Sequence, residues 1–143
     1  GLWVKHSNFE VALQVPLIVS ATNIPKNKKT NSIAELVDLY PSICELANIS
    51  KPTHLEGESF VNALKNPSEI HKNTALARYL RGETLIADNY FYTEWRKKGK
   101  TIAKMLYDHK IDLDENRNLV LESEYNHIVD SLSILLNQKI LKN

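Results

Sequence analysis

The chain has 143 residues, 43% hydrophobic and 24% charged, within the range of one soluble domain that can bury a core. Eighteen Lys and Arg against seventeen Asp and Glu leave a formal charge of +1. That excludes the overall basic footprint of a nucleic-acid or anionic-membrane binder. A single cysteine, Cys44, excludes an intrachain disulfide, and no run reaches the about 18–20 apolar residues that a membrane span needs.

The opening GLWVKHSNFE has neither the cationic nor the apolar region of a secretory signal, so a leader would have to stand upstream of Gly1. Residues 15–21 (VPLIVSA) form a short continuous apolar run, which predicts a strand buried on both faces. Such a strand needs parallel neighbours, and the rest of the chain offers none. Residues 23–31 (NIPKNKKTN) are loop by composition. Ser32 followed by Glu35 makes a capping box, predicting a helix with Ile33, Leu36, Val37 and Tyr40 on one face. Pro41 then forces a kink or a fresh start, and the helical stretch runs over 32–48. Cys44, between Ile43 and Leu46, reads as a buried small hydrophobe.

Ser59 caps a short amphipathic helix over 59–65 containing Phe60, Val61 and Leu64, which ends before Pro67. The period then changes. Residues 74–80 and 84–95 alternate or run apolar, and Asp88-Asn89, between Leu85-Ile86-Ala87 and Tyr90-Phe91-Tyr92, predicts a hairpin turn. Residues 102–107 supply another strand. From Ser123 on, Tyr125, Ile128, Val129, Leu132, Leu135 and Leu136 follow helical spacing, predicting a terminal helix over 123–141 capped by Ser123. Strands and helices that segregate in this way argue for α+β organisation.

The order Gly1-Leu2-Trp3-Val4-Lys5-His6-Ser7-Asn8-Phe9-Glu10, then Val15-Pro16-Leu17-Ile18, resembles the passage that follows the metal-binding Asp-His-Gly motif of sulfatases of the iduronate-2-sulfatase-like branch, in the alkaline-phosphatase-like superfamily. Further blocks follow in the family's order: Glu35-Leu36-Val37-Asp38-Leu39-Tyr40-Pro41, Gly57-Glu58-Ser59-Phe60-Val61, Tyr90-Phe91-Tyr92-Thr93-Glu94-Trp95 and Leu106-Tyr107-Asp108-His109. They cover nearly the whole chain. The resemblance implies a C-terminal fragment of an α/β sulfatase fold. Residues 1–70 would end the large domain, and residues 71–143 would form a subdomain with a small antiparallel sheet and the terminal helix.

In that family a Cys or Ser within Cys/Ser-x-Pro-x-Arg becomes formylglycine, whose hydrate attacks sulfur while calcium holds the sulfate. That motif and the metal ligands do not occur here, so the resemblance implies no cofactor in this chain, with calcium and formylglycine in the intact parent. Cys44 lacks the motif's context. Lys5 matches the family's lysine that contacts a sulfate oxygen and offsets charge developing in the transition state. His6 follows at a position that can face the sugar, where an imidazole can donate to a carboxylate or hydroxyl. Two blocks depart from the family's pattern. Thr84-Leu85-Ile86-Ala87 lacks an arginine found in the family's hairpin, and Asp112-Leu113-Asp114-Glu115-Asn116 lacks a turn proline.

Other features have plainer readings. His54, His71, His109 and His127 are too scattered for a ligand cluster and read as surface or loop histidines. Asp108, Asp112, Asp114 and Glu115 lack the spacing of a calcium loop and read as turn caps. Tyr90, Phe91, Tyr92 and Trp95 could stack on a sugar, but alternation puts at least one face in the core. Arg96, Lys97, Lys98, Lys100 and Lys104 could attract an acidic polymer or form a solvated loop.

The leading expectation is a parent that hydrolyses sulfate esters on a glycan, with this chain inactive alone. Its partners would be the sulfated substrate and the remainder of the sulfatase domain, without nucleic acid or membrane, in a periplasmic, secreted or lysosomal setting. The alternatives are a non-catalytic module for acidic glycans and a fragment of a related phosphatase or phosphodiesterase.

Overall fold

A computed structural model describes residues 5–141; Gly1, Leu2, Trp3 and Val4, which carry part of the motif quoted above, lie outside the described residues. The chain forms two compact units. One comprises the described residues up to Pro16 together with those from Leu76 on, and the other is Leu17–Ala75. The boundary expected at residue 70 falls inside the second unit, and the Lys5 segment packs with the C-terminal part.

The first unit opens with a single helical turn, α1 (Glu10–Leu13). Its body is an antiparallel sheet in the order β1-β2-β3-β4, with β1 Thr74–Tyr79, β2 Gly82–Ala87, β3 Tyr90–Lys97 and β4 Lys100–Asp108. The turn between β2 and β3 is the expected Asp88-Asn89 pair, with Asp88 at φ 54° and Ala87 opposite Tyr90. An acidic residue tolerates the left-handed conformation better than a branched apolar one, so turn chemistry sets the register here. Between β3 and β4 the register shifts after Trp95, which pairs with Ala103 while Arg96 pairs with Thr101. Ile102 is thereby left as the bulge residue. On the β4 edge, Leu119 N–H donates to Leu106 C=O at 2.9 Å, and the Asn118 Oδ1 accepts from Leu106 N–H at 2.9 Å. Residues 118–119 thus cover part of an edge that would otherwise be open to pairing.

Helix α4 (Asn126–Ile140), entered through a 3-10 turn at Ser123–Tyr125, lies on one face of the sheet. Ser123 is inside that turn rather than its cap, because Glu122 holds the extended conformation that precedes it. Leu85, Tyr92 and Leu106 from the sheet meet Val129, Leu132 and Leu136 from the helix, with Leu119 beside them. Leu85, Tyr92, Leu106 and Leu136 are fully buried. The opposite face buries Phe91, Met105 and Tyr107 under Phe9, with Ile86 and Trp95 at the margin. Strand periodicity divides the two sides: Tyr92 and Glu94 point toward α4, and Phe91 and Trp95 point toward the Lys5 segment. The alternating aromatics are therefore mostly core.

The second unit is poorer in regular structure. A 3-10 turn at Leu36–Asp38 leads into α2 (Leu39–Leu46), and α3 (Val61–Lys65) follows. The capping box lies three residues later than expected, formed by Glu35 and Asp38. Ser32 instead accepts His71 N–H at 2.6 Å, and Ile33 bridges to Lys72. Pro41 sits in the first turn of α2, where its missing N–H costs nothing. Ser59 lies one residue before Phe60, which is the N-cap of α3, so it is not the cap expected there, although its hydroxyl accepts Val61 N–H at 3.3 Å. Cys44, Phe60, Val61 and Ala63 are buried, as is Pro41. The face expected to be interior is not: Leu36, Val37, Tyr40 and Ile43 are exposed.

The strand expected over 15–21 does not form. Those residues have no regular structure, and Val15, Leu17 and Ile18 are exposed, Ile18 at 91%. An apolar run becomes a strand only where neighbouring strands take up its N–H and C=O groups. Among the described residues none does.

Candidate functional site

The Lys5 segment is laid on the face of the sheet opposite α4 and is anchored residue by residue. Lys5 itself is exposed and next to the anchored part. The His6 ring stacks on Tyr79 at the end of β1, with centroids 5.5 Å apart and planes 17° from parallel. Asn8 is 4% exposed. It fills the space above Gly82, where a Cβ would lie 2.1 Å from the Asn8 Nδ2 and 2.7 Å from the Trp95 Nε1. A glycine at the start of β2 is therefore what lets the segment approach the sheet. The Asn8 Oδ1 is buried without a hydrogen-bond partner among the described residues, a state that costs about 1–3 kcal/mol when nothing donates to it. Phe9 packs on Tyr107 with centroids 5.8 Å apart.

Glu10 completes the anchoring and starts α1. Its N–H donates to the Glu115 Oε2 at 2.9 Å, and its Oε1 lies 3.7 Å from the His109 Nδ1. The other nitrogen of His109 is 3.2 Å from the Glu115 Oε1, and the ring stacks on Phe91 at 4.2 Å. Burial pushes the Glu115 carboxyl above its usual range, against the Glu10 N–H and His109, which act to lower it. His109 is therefore a buried anchor with carboxylates at both ring nitrogens, correcting its reading as a surface or loop histidine. The acidic run around it divides by role. Asp108 Oδ1 accepts Lys110 N–H at 2.9 Å and Asp112 Oδ2 accepts Arg117 N–H at 2.8 Å, both turn caps. Glu115 ties the 109–115 loop to the Lys5 segment.

Two buried carboxylates were not recognised from sequence. Glu94, 1% exposed, sits between β3 and α4. Its Oε1 accepts from the Tyr92 hydroxyl at 2.7 Å and Ser133 at 2.6 Å, and its Oε2 from Arg96 Nη2 at 2.8 Å and Thr101 at 3.0 Å. Burial alone would raise its pKa, but the hydrogen bonds from Ser133, Tyr92, Arg96 and Thr101 override it and hold the carboxyl at about 2. Tyr92 moves the other way, up, through burial and its bond to Glu94. Period-two alternation placed Glu94 on the inward side with Tyr92, and that was the available signal. In the second unit Asp38 is fully buried. Its carboxylate accepts from the Lys72 Nζ at 2.7 Å and from the N–H groups of Glu35 and Glu58, both at 2.9 Å, with the His71 Nε2 at 3.3 Å. Burial opposes ionisation, and Lys72 with the two backbone donors outweighs it, leaving the pKa lowered. His71 is thus a second histidine read as exposed and found buried against a carboxylate.

Among the described residues, no group of three or more His, Cys, Asp or Glu side chains could hold a metal ion. Cys44 is buried in α2. What the segment offers to chemistry is one ammonium, Lys5, next to an imidazole, His6, on a loop pinned at Asn8, Phe9 and Glu10.

A four-stranded antiparallel sheet carries a terminal helix on one face and the Lys5 segment on the other. Residues 1–142 match the family described as N-sulphoglucosamine sulphohydrolase, C-terminal, and the chain belongs to that family. The chain is 28% identical over 130 residues to Arylsulfatase K of Mus musculus, covering 82% of this chain and 24% of the mouse protein. A solved structure of a 2-O GAG sulfatase is 26% identical with a TM-score of 0.60, over 73% of this chain and 24% of that one. A protein solved in complex with its substrate D-glucosamine-2-N,6-O-disulfate superposes with a TM-score of 0.73 at 20% identity, over 81% of this chain and 26% of the other, a likeness of fold. The chain thus spans about a quarter of the length of the relatives it matches.

Proposed function

We propose that this chain is the C-terminal region of a longer sulfatase that hydrolyses sulfate esters on a sulfated glycan, and that its direct contribution to the chemistry is Lys5. The observation that carries this is the anchoring of the loop. His6, Asn8, Phe9 and Glu10 are each fixed to the sheet or to the 109–115 loop, and fixed charge aimed at a developing anion is what lowers a barrier. The sulfate-ester reading draws on the family membership, and the glycan reading on the 2-O GAG sulfatase relative and the glucosamine disulfate complex. The narrower iduronate-2-sulfatase-like placement rests only on the residue order of the opening segment.

In this reading His6, with one ring face on Tyr79, presents its edge to a substrate carboxylate or hydroxyl. Residues 17–75 dock on the larger α/β part, which would cover the exposed Leu36, Val37, Tyr40 and Ile43 and give residues 15–21 the strand partners they lack here. The nucleophile, as formylglycine, and calcium come from that part, and a periplasmic, secreted or lysosomal setting follows from the substrate. The chain alone releases no sulfate. In the longer polypeptide, Lys5→Ala lowers sulfate release by about 10²-fold or more, the scale of losing one transition-state donor. Unchanged turnover by a folded Lys5→Ala protein overturns the role of Lys5.

A further inference from the structure

The cations of the β3–β4 hairpin divide into two groups. Arg96 is held by Glu94 at 2.8 Å, and Lys104 turns to the same carboxylate at 3.7 Å and lies over the Tyr92 ring. Lys97, Lys98 and Lys100 are exposed, and no ion pair engages them among the described residues. The tight turn that carries them has Lys98 at φ 50° and Gly99 at φ 74°, the left-handed pair that matches strand twist and holds a hairpin tip in place.

The fold adds a fourth cation that is distant in sequence. Antiparallel order puts the β1–β2 turn at the same end of the sheet, and the Arg96 N–H donates to the Arg81 carbonyl at 3.0 Å. Arg81 is exposed there. The nearby carboxylates are already engaged: Glu83 by Arg78 at 2.5 Å and Glu94 by Arg96. Asp88 and Asp108, with Asp112, Asp114 and Glu115 in the loop that follows β4, stand at the far end of the sheet. A chain whose formal charge is only +1 has therefore collected uncompensated positive charge at one end. That same end receives the Lys5 segment, through His6 on Tyr79 and Asn8 on Gly82 beside Trp95.

We propose that Arg81, Lys97, Lys98 and Lys100 form an anion-binding strip continuous with the Lys5 loop, which holds sulfate and carboxylate groups of an acidic glycan chain beyond the sugar being desulfated. The proposal deepens the sulfatase reading and rests on it. Flexible ammonium groups act as point charges that tolerate variable spacing, which suits a polymer whose sulfation pattern varies. Close to the surface their fields add within a Debye length, about 8–10 Å.

The test uses the longer polypeptide with Lys97→Gln, Lys98→Gln and Lys100→Gln combined, assayed on a heparin-type sulfated oligosaccharide and on a small aryl sulfate. The triple variant lowers kcat/KM on the oligosaccharide about tenfold, mainly through KM, as three rim charges do, and leaves the aryl sulfate unchanged. Its salt dependence on the oligosaccharide is shallower. Equal losses on both substrates, or no loss on the oligosaccharide, overturn the strip. A wild-type protein that releases sulfate from neither substrate overturns the sulfatase reading instead. The strip is then still read directly, by the salt concentration at which the wild-type and triple-variant chains leave immobilised heparin, where identical elution overturns it. Equal competition by duplex DNA overturns the glycan assignment in favour of any polyanion.

Discussion

Replacing Glu94 by Gln keeps the shape of the side chain and removes its charge. The wild-type carboxylate receives hydrogen bonds from Tyr92, Ser133, Arg96 and Thr101. An amide offers one acceptor oxygen in place of two, so at least one of these donors would face an NH2 group. The carboxyl is held at about 2 in the fold against an ordinary 4.5, which at about 1.4 kcal/mol per tenfold corresponds to about 3 kcal/mol of stabilisation. The side chain is 2% exposed, so solvent screening does not reduce this figure much. A depressed carboxyl contributes in full above its unfolded value, near 4.5, and the contribution drains away as pH falls toward 2. Urea unfolding of the chain at pH 7 should therefore show Glu94→Gln less stable by about 3 kcal/mol, with the gap closing between pH 4.5 and 2. A loss below about 1 kcal/mol at pH 7, or a gap that does not close with acid, refutes the reasoning that four donors hold this charge.

Gly82→Ala puts a methyl 2.1 Å from the Asn8 Nδ2 and 2.7 Å from the Trp95 Nε1. It should lower stability by about 1–3 kcal/mol as overpacking does and, in the longer polypeptide, lower sulfate release beyond what the stability loss explains, read as kcat on folded protein. The excess should vanish in a Lys5→Ala background. Asp38→Ala removes the acceptor shared by Lys72, His71 and two backbone N–H groups and should cost about 3–5 kcal/mol, measured by denaturant unfolding.

The hairpin β2–β3 was legible because local chemistry specifies it: Asp88 accepts a positive φ and the flanking residues alternate. The terminal helix was legible from the spacing of Val129, Leu132 and Leu136, all buried. Glu94, Asp38, His71 and His109 were not, since each also needs a partner far away in sequence, even though Tyr92, Arg96 and Thr101 reach Glu94 locally and Glu115 reaches His109. Glu94 meets Ser133 and Asp38 meets Lys72, and no local pattern announces either meeting. Residues 15–21 and the stripe from Leu36 to Ile43 misled for the related reason that apolar periodicity states a wish for burial without naming the surface that provides it.

By itself, the sequence determined the sulfatase likeness, the turn positions, the antiparallel sheet with its helix, and Lys5 as the residue to examine. The turn, the sheet and the helix follow from short-range patterns of side-chain type, which a linear text preserves, whereas the sulfatase likeness and Lys5 rest on the resemblance of the ordered blocks to that family. Only the tertiary structure decided that Lys5 sits on a loop pinned by Asn8 over Gly82, that two of the histidines are buried against carboxylates, and that Arg81 joins three hairpin lysines at one end of the sheet. Those depend on which surfaces meet in space, where burial turns a charge from a solvated ornament into a group that must find its donors.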